Sequence, residues 1–168
     1  MLEIRLCHWA LTIALLALAN LGAHAAGTGH PLAQVQPSAD LTPADVIRYQ
    51  VDALADNDVP HADAGIEITF RFASPENRRV TGPLHRFRAL LHNPLYSDLL
   101  NHVSAEYGNP MMRGHMALGP VLITTADGRQ VGYMFQLSKQ LDERCPGCWM
   151  TEGVTRLDAG AADPGRAL

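Results

Sequence analysis

The sequence predicts one α+β domain, with N-terminal helices packed on a curved antiparallel sheet. Three observations predict it. Capped, helical-period apolar stripes occupy the first half of the domain. Short alternating runs around an Asp-Gly turn fill the second half. The order is helices first and strands after, which is the α+β pattern. The 168 residues are 47% hydrophobic and 18% charged, enough apolar material for one ordinary core.

The chain begins "MLEIRLCHWALTIALLALANLGAHAAG". A short segment with Arg5 precedes an apolar run from about Leu6 to Leu21, and Ala23-His24-Ala25 supplies small residues where a signal peptidase reads. This three-part pattern predicts a signal peptide over residues 1–25, cleaved to leave Ala26 first, and a periplasmic or secreted protein. The run is short for a membrane span, so no stable membrane insertion is expected after cleavage. Cys7 lies inside the apolar run and leaves with it, so the mature chain keeps Cys145 and Cys148.

Residues 26–41, "AGTGHPLAQVQPSADL", show no periodicity and read as a flexible leader. A single domain is expected over 42–157. Its first helix opens at Thr42 as N-cap, with Pro43 in the first turn and Asp45 completing a capping box. Ile47, Val51 and Leu54 follow at helical spacing, and Asp56-Asn57-Asp58 with Pro60 ends the helix. In "DAGIEITFRFASP", Ile66, Ile68, Phe70 and Phe72 alternate with polar residues, so strand and helix compete there. Ser74-Pro75 with Glu76 reads as a turn or helix cap. Thr81-Gly82-Pro83 starts a further helix with Leu84, Phe87, Leu90 and Leu91 as its buried stripe and Arg86 and Arg88 facing out. Asn93-Pro94 restarts the chain into a short helix that is over by about His102.

From Val103 the texture becomes β. "VSAEYG" is short and alternating. "HMALGPVLITTADGRQVGYMFQLSKQL" is a strand, an Asp127-Gly128 turn and a second strand. "CWMTEGVTRL" is a last strand, with Trp149, Thr151, Gly153 and Thr155 on one face and Met150, Glu152, Val154 and Arg156 on the other. Residues 158–168 read as a disordered tail.

Together, "DAGIEITFRFASPENRRVTGPLHRFRALLHNP", "LLNHVSAEYG" and "GRQVGYMFQLSKQ…CPGCWMTEGV" resemble a family of uncharacterised bacterial and plastid proteins, grouped as a domain of unknown function. The resemblance spans about residues 42–157. It implies a likeness to cone-shaped nuclear-transport-factor-2-like and cystatin-like proteins, in which helices wrap a bent sheet and leave a cavity. A homodimer is compatible with that shape. The family brings no established activity.

The net charge of -4 and the lack of a basic block argue against a nucleic-acid partner. Cys145-Pro146-Gly147-Cys148 admits three readings. A redox site would put the first cysteine at a helix N-terminus, yet the residues after Cys148 alternate as a strand. A zinc site needs further ligands, and no second cysteine pair exists. Pro-Gly at the centre of a type II turn brings the flanking residues within disulfide range, so a turn-clamping disulfide fits best in an exported chain. The connection it clamps is expected to include Asp142 to Arg144, since type II turns suit tight hairpins poorly.

His30, His61, His85, His92, His102 and His115 show no metal-ligand spacing, so neither metal nor cofactor is expected. Asn101, His102, Glu106 and Tyr107 cluster where helix gives way to sheet. They are the candidate polar groups of a pocket, although capping of the helix end is the commoner use of such residues. The leading expectation is a module that binds a small apolar ligand or a protein partner, and it leans away from catalysis. The alternatives are a lyase-, isomerase- or hydrolase-type cavity enzyme using His102 and Glu106, or a thiol-disulfide protein using Cys145 and Cys148.

Overall fold

The structure is a computed structural model and describes residues 29–141 and 144–157. The expected signal segment, Cys7, the tail at 158–168, and Asp142 lie outside these residues. Among the described residues four helices precede the sheet: α1 (Pro43–Ala55), α2 (Ala64–Arg71), α3 (Pro75–Thr81) and α4 (Leu84–Leu91), with a 3-10 turn at Ser97–Leu99. Five strands follow: β1 (Ser104–Tyr107), β2 (Met111–Arg113), β3 (Met116–Thr124), β4 (Gln130–Lys139) and β5 (Trp149–Leu157). All strand pairs are antiparallel, in the order β1-β3-β4-β5, with β2 also on β3. The α+β expectation holds.

The expected capping box starts α1. Thr42 Oγ1 accepts from Asp45 N at 3.2 Å, and Asp45 Oδ2 accepts from Thr42 N at 2.9 Å. The competition over residues 66–72 resolves as helix. Gly65, Ile66, Ile68 and Thr69 are buried in α2, and Phe72 follows one turn on, which is helical and not strand spacing. The deciding contacts are remote. Asn57 caps the start of α2 from outside, its Oδ1 accepting from Ile66 N and its carbonyl from Gly65 N. A Cβ on Gly65 would lie 2.0 Å from Ala53 O, so only glycine lets α1 and α2 approach this closely.

The core lies between the helices and one face of the sheet. Val121, Ile123, Tyr133, Phe135, Leu137 and Trp149 meet Phe87, Leu91 and the α1 stripe there. Of the stripe expected on α4, Phe87 and Leu91 are buried, Leu84 and Leu90 half-buried. Burial of this set is the main force for the fold, at about 1.5–3 kcal/mol per large side chain.

Two expectations need correction. The described part of the leader is packed. His30 is buried, with Nδ1 accepting from Leu32 N and Nε2 3.3 Å from Ala53 O. Arg71 donates to the carbonyls of Ala33 and Val35, and Leu32, Val35 and Leu41 lie on the core. These anchors are irregularly spaced and their partners distant in sequence, so no period shows. The second correction is in β5. Gly153 pairs with Gln136 and Thr151 with Leu137, so Glu152 is the extra residue of a β-bulge. The bulge reverses the alternation. Trp149 and Thr151 face the core before it, and Val154 does so after it, whereas Thr155 is exposed.

Candidate functional site: a cavity beside the β5 bulge

Residues 72–77 form a second junction between helix and sheet. Thr151 N donates to Phe72 O at 2.8 Å and Ser74 N to Thr151 O at 2.9 Å. This makes a one-residue parallel bridge between Ala73 and Thr151 on the free edge of β5. Ser74 then caps α3, its Oγ accepting from Asn77 N at 3.0 Å. The Ser74-Pro75 cap reading therefore holds. The same Oγ donates to Glu152 Oε2 at 2.7 Å, and Ser138 Oγ and Gln140 Nε2 approach Oε1. A serine with no exposed surface thus ties the helix cap to the bulge.

Beside this junction, between α1–α4 and β4–β5, lies a cavity of about 260 Å³. Leu54, Phe87, Leu91, Leu99 and Phe135 supply apolar wall. Buried Gln50 and Thr151 supply a polar floor, joined by hydrogen bonds of 2.7 and 3.1 Å. Thr69 Oγ1 donates to Gln50 O, and Asn77 Nδ2 donates to Thr151 O at 3.0 Å. Exposed Val80 and Glu76 and half-buried Glu152 mark the mouth.

The cluster expected to line a pocket lies elsewhere, and none of its four residues lines this cavity. Asn101, at φ 52°, donates from its backbone N to Leu54 O and from Nδ2 to Asp58 Oδ2, both at 2.8 Å. The Asp63 N–H first and Asn101 second hold the Asp58 carboxyl below its ordinary range. His102 is 6% exposed and its Nδ1 sits 2.8 Å from Leu99 O, so its ring closes the preceding turn. Tyr107 Oη donates to Asp52 Oδ1 at 2.5 Å, and the Arg48 guanidinium lies 4.4 Å from its ring centre. Burial first, and the Asp52 contact second, push the phenol upward. Glu106 is exposed opposite Leu122, on the strand side opposite Ala105 and Tyr107. His102 and Glu106 share no hydrogen bond among the described residues, and His102 is buried while Glu106 is exposed.

The Cys145–Cys148 turn borders the opposite side of residues 73–78. The two cysteines stand at disulfide distance with Cα atoms 5.5 Å apart. Gly147 has φ 84°, the left-handed conformation the third position of a type II turn needs, and Cys148 N donates to Cys145 O. Gln140 pairs with Cys148 and Gly147 through its backbone. The turn thus fixes the residue whose side chain reaches Glu152. Arg78 and Arg144 line two shallow depressions here. Arg78 donates to the carbonyls of Phe70 and Arg71. Desolvation first, and the Arg144 charge second, lower its pKa from the usual arginine value.

Among the described residues no group of three or more His, Cys, Asp or Glu could hold a metal ion. No helix there is long and apolar enough to cross a membrane. The residues that sequence reasoning missed are Gln50, Asn77, Thr151 and Glu152. One sequence signal pointed to them: Trp149 and Met150 stand side by side ahead of the charged Glu152, where a regular half-buried strand would already alternate.

A family model described as a domain of unknown function, DUF4864, matches residues 37–162. The search of curated proteins and the search of solved structures each found no match.

Proposed function

The chain belongs to the DUF4864 family of domains of unknown function, and we propose that this domain is a module that binds a small apolar ligand. The observation that carries the reading is the 260 Å³ cavity, with apolar walls and a few polar groups at floor and mouth. Ligand sites have this composition, and their usual volumes start at about 300 Å³. A fully apolar cavity of about 150 Å³ takes benzene, so this one suits a single ring with a short side chain. The likeness to cone-shaped proteins belongs to the same proposal: a bent sheet whose helical cover leaves one end unfilled. Thermal unfolding against a small-molecule library tests it, since a ligand of the folded state raises the transition by mass action. Leu90→Trp should fill the cavity and erase the shift. No shift from any compound, or an equal shift in Leu90→Trp, overturns the reading.

We also propose export to an oxidising compartment. The three-part N-terminal pattern and the clamped Pro-Gly turn support it. N-terminal sequencing of an envelope fraction should begin at Ala26, and a Met1 start would overturn it.

A second reading, an interaction module whose partner is another copy of the chain, is favoured by the uncovered face of the sheet. Antiparallel sheets usually turn a polar face to water, yet Met111, Met116, Leu118 and Leu157 are all more than a third exposed. Sedimentation across concentrations should then give a dimer that Leu118→Lys dissociates.

A further inference from the structure

The hydrogen-bonding groups around the cavity are unequal in kind. The hydroxyl donors are spent within the protein. Thr69 donates to Gln50 O, Thr81 to Asn77 O at 2.9 Å, and Tyr96 to Val154 O at 3.2 Å. Thr151 donates to Gln50 Oε1, and Gln50 Nε2 donates to Val46 O and Thr151 Oγ1. One acceptor is not spent. Asn77 is 9% exposed and lines the cavity. Its Nδ2 donates to Thr151 O, while its Oδ1 accepts no hydrogen bond among the described residues. Asn77 Oδ1 is not sealed from solvent, so it is an open acceptor that a donor entering the cavity can use.

Charge points the same way. Among the described residues no arginine, lysine or histidine lines the cavity, and two acidic residues do, Glu76 and Glu152. Glu76 is exposed and paired with Arg79. Glu152 is half-buried at the mouth, where the neutral groups of Ser74, Ser138 and Gln140 donate to its carboxylate. Arg78 and Arg144 lie beyond it, in the neighbouring depression that Glu152 also borders. An anionic ligand head would meet Glu152 with one spare Asn77 amide hydrogen in compensation. An ammonium meets a carboxylate and an unused amide oxygen, with the aromatic walls of Phe87 and Phe135 nearby.

Resting on the reading of this cavity as a ligand site, we propose that its ligand class is the small apolar amine. The ammonium sits between Glu152 and Asn77 Oδ1, and the hydrocarbon lies between Phe87, Leu91 and Phe135. The test titrates the full mature chain at neutral pH with three probes of like shape: 2-phenylethylamine, its neutral isostere 2-phenylethanol, and the anionic 3-phenylpropanoate. The amine should bind about tenfold more tightly than the alcohol, the scale of one charge-assisted contact at a partly wet site, and the acid more weakly than both. Glu152→Gln should abolish the preference for the amine, weakening the amine far more than the alcohol. In the wild type, raising the salt should shrink the preference by screening, a measurement that stands even if the variant folds poorly. Equal binding of amine and alcohol, tighter binding of the acid, or a preference that survives both Glu152→Gln and high salt overturns the amine assignment and leaves the cavity reading standing. Binding by none of the three overturns the amine assignment, and the ligand-site reading falls separately if the library and Leu90→Trp experiment also fails.

Discussion

Helix meets sheet at two places in this chain, with similar residue types and opposite results. At residues 101–107 the polar side chains turn back onto nearby backbone and acids. His102 closes on Leu99, Asn101 on Leu54 and Asp58, and Tyr107 on Asp52. At residues 72–77 they reach across the fold, from Ser74 to Glu152 and from Asn77 to Thr151. The first junction is filled. The second borders the cavity, because between Thr151 and Val154 the bulge puts Glu152 at the mouth and Gly153 carries no side chain, so β5 sends no apolar group inward there. Polar residues adjacent in sequence satisfy one another and leave nothing over. Polar residues assembled from distant segments frame a space.

The largest effect should come from the residue that joins the second junction. Ser74→Ala removes the α3 cap, worth about 1 kcal/mol, and one of the donors to a carboxylate, worth about 1.5–3 kcal/mol. A loss of about 3 kcal/mol in chemical denaturation is expected. The matching change at the first junction, Asn101→Gly, keeps the left-handed backbone accessible and loses one exposed hydrogen bond, at about 1 kcal/mol. Equal losses would remove the distinction between the two junctions.

Next in size is the clamp. The cysteines are three apart in sequence, and so short a closed loop removes little chain entropy, about 2 kcal/mol by the loop-length relation. Cys145→Ser with Cys148→Ser should lower stability by that amount and keep the fold. Because Gln140 is held by this turn and reaches Glu152, the double variant should also weaken 2-phenylethylamine more than 2-phenylethanol. A reduction potential in the range of thiol oxidants, with activity on a reduced substrate, would instead favour the thiol-disulfide alternative.

The filled junction carries its own pH signature. Burial and the Asp52 contact raise the Tyr107 phenol in the folded state, and burial raises Tyr133 as well. Above pH 10 the unfolded chain releases these protons and the folded chain keeps them. Their contribution is therefore complete below pH 10 and is lost as pH rises beyond it. Each such tyrosine contributes at most about 1.4 kcal/mol per pH unit there, less after solvent screening. Tyr107→Phe should flatten the decline and cost about 1 kcal/mol at neutral pH. An unchanged alkaline slope would show that Tyr107 is not held as described.

The sequence made the layer order, the α1 capping box, the Asp-Gly hairpin and the Pro-Gly turn legible because each depends on residues within a few positions. The α4 stripe and the alternation of β3 and β4 were legible for the same reason. What escaped depends on partners far along the chain. Asn57 decides the helix at Gly65 and Ile66, Arg71 holds the segment read as a leader, and Ser74 meets Glu152. Asn101, His102, Glu106 and Tyr107 stood out because they are polar and adjacent, which is why they satisfy themselves locally. The cavity takes its polar groups from α1, α3 and β5, and no window of sequence contains them together.

The smallest effect should come from Glu106→Gln. Its carboxylate is exposed opposite Leu122, on the side of β1 away from Ala105 and Tyr107, and it makes no ion pair among the described residues. A substitution of this kind changes stability by less than about 0.5 kcal/mol. Because Glu106 does not line the cavity, affinities for 2-phenylethylamine and 2-phenylethanol should both stay at wild-type values, while Glu152→Gln lowers the first to the level of the second. Paired titrations of the two variants place the same chemical change at each junction in turn. If Glu106→Gln weakened the amine as Glu152→Gln is expected to, the ligand would lie at residues 101–107, and the cavity beside the bulge would be a packing defect with no ligand.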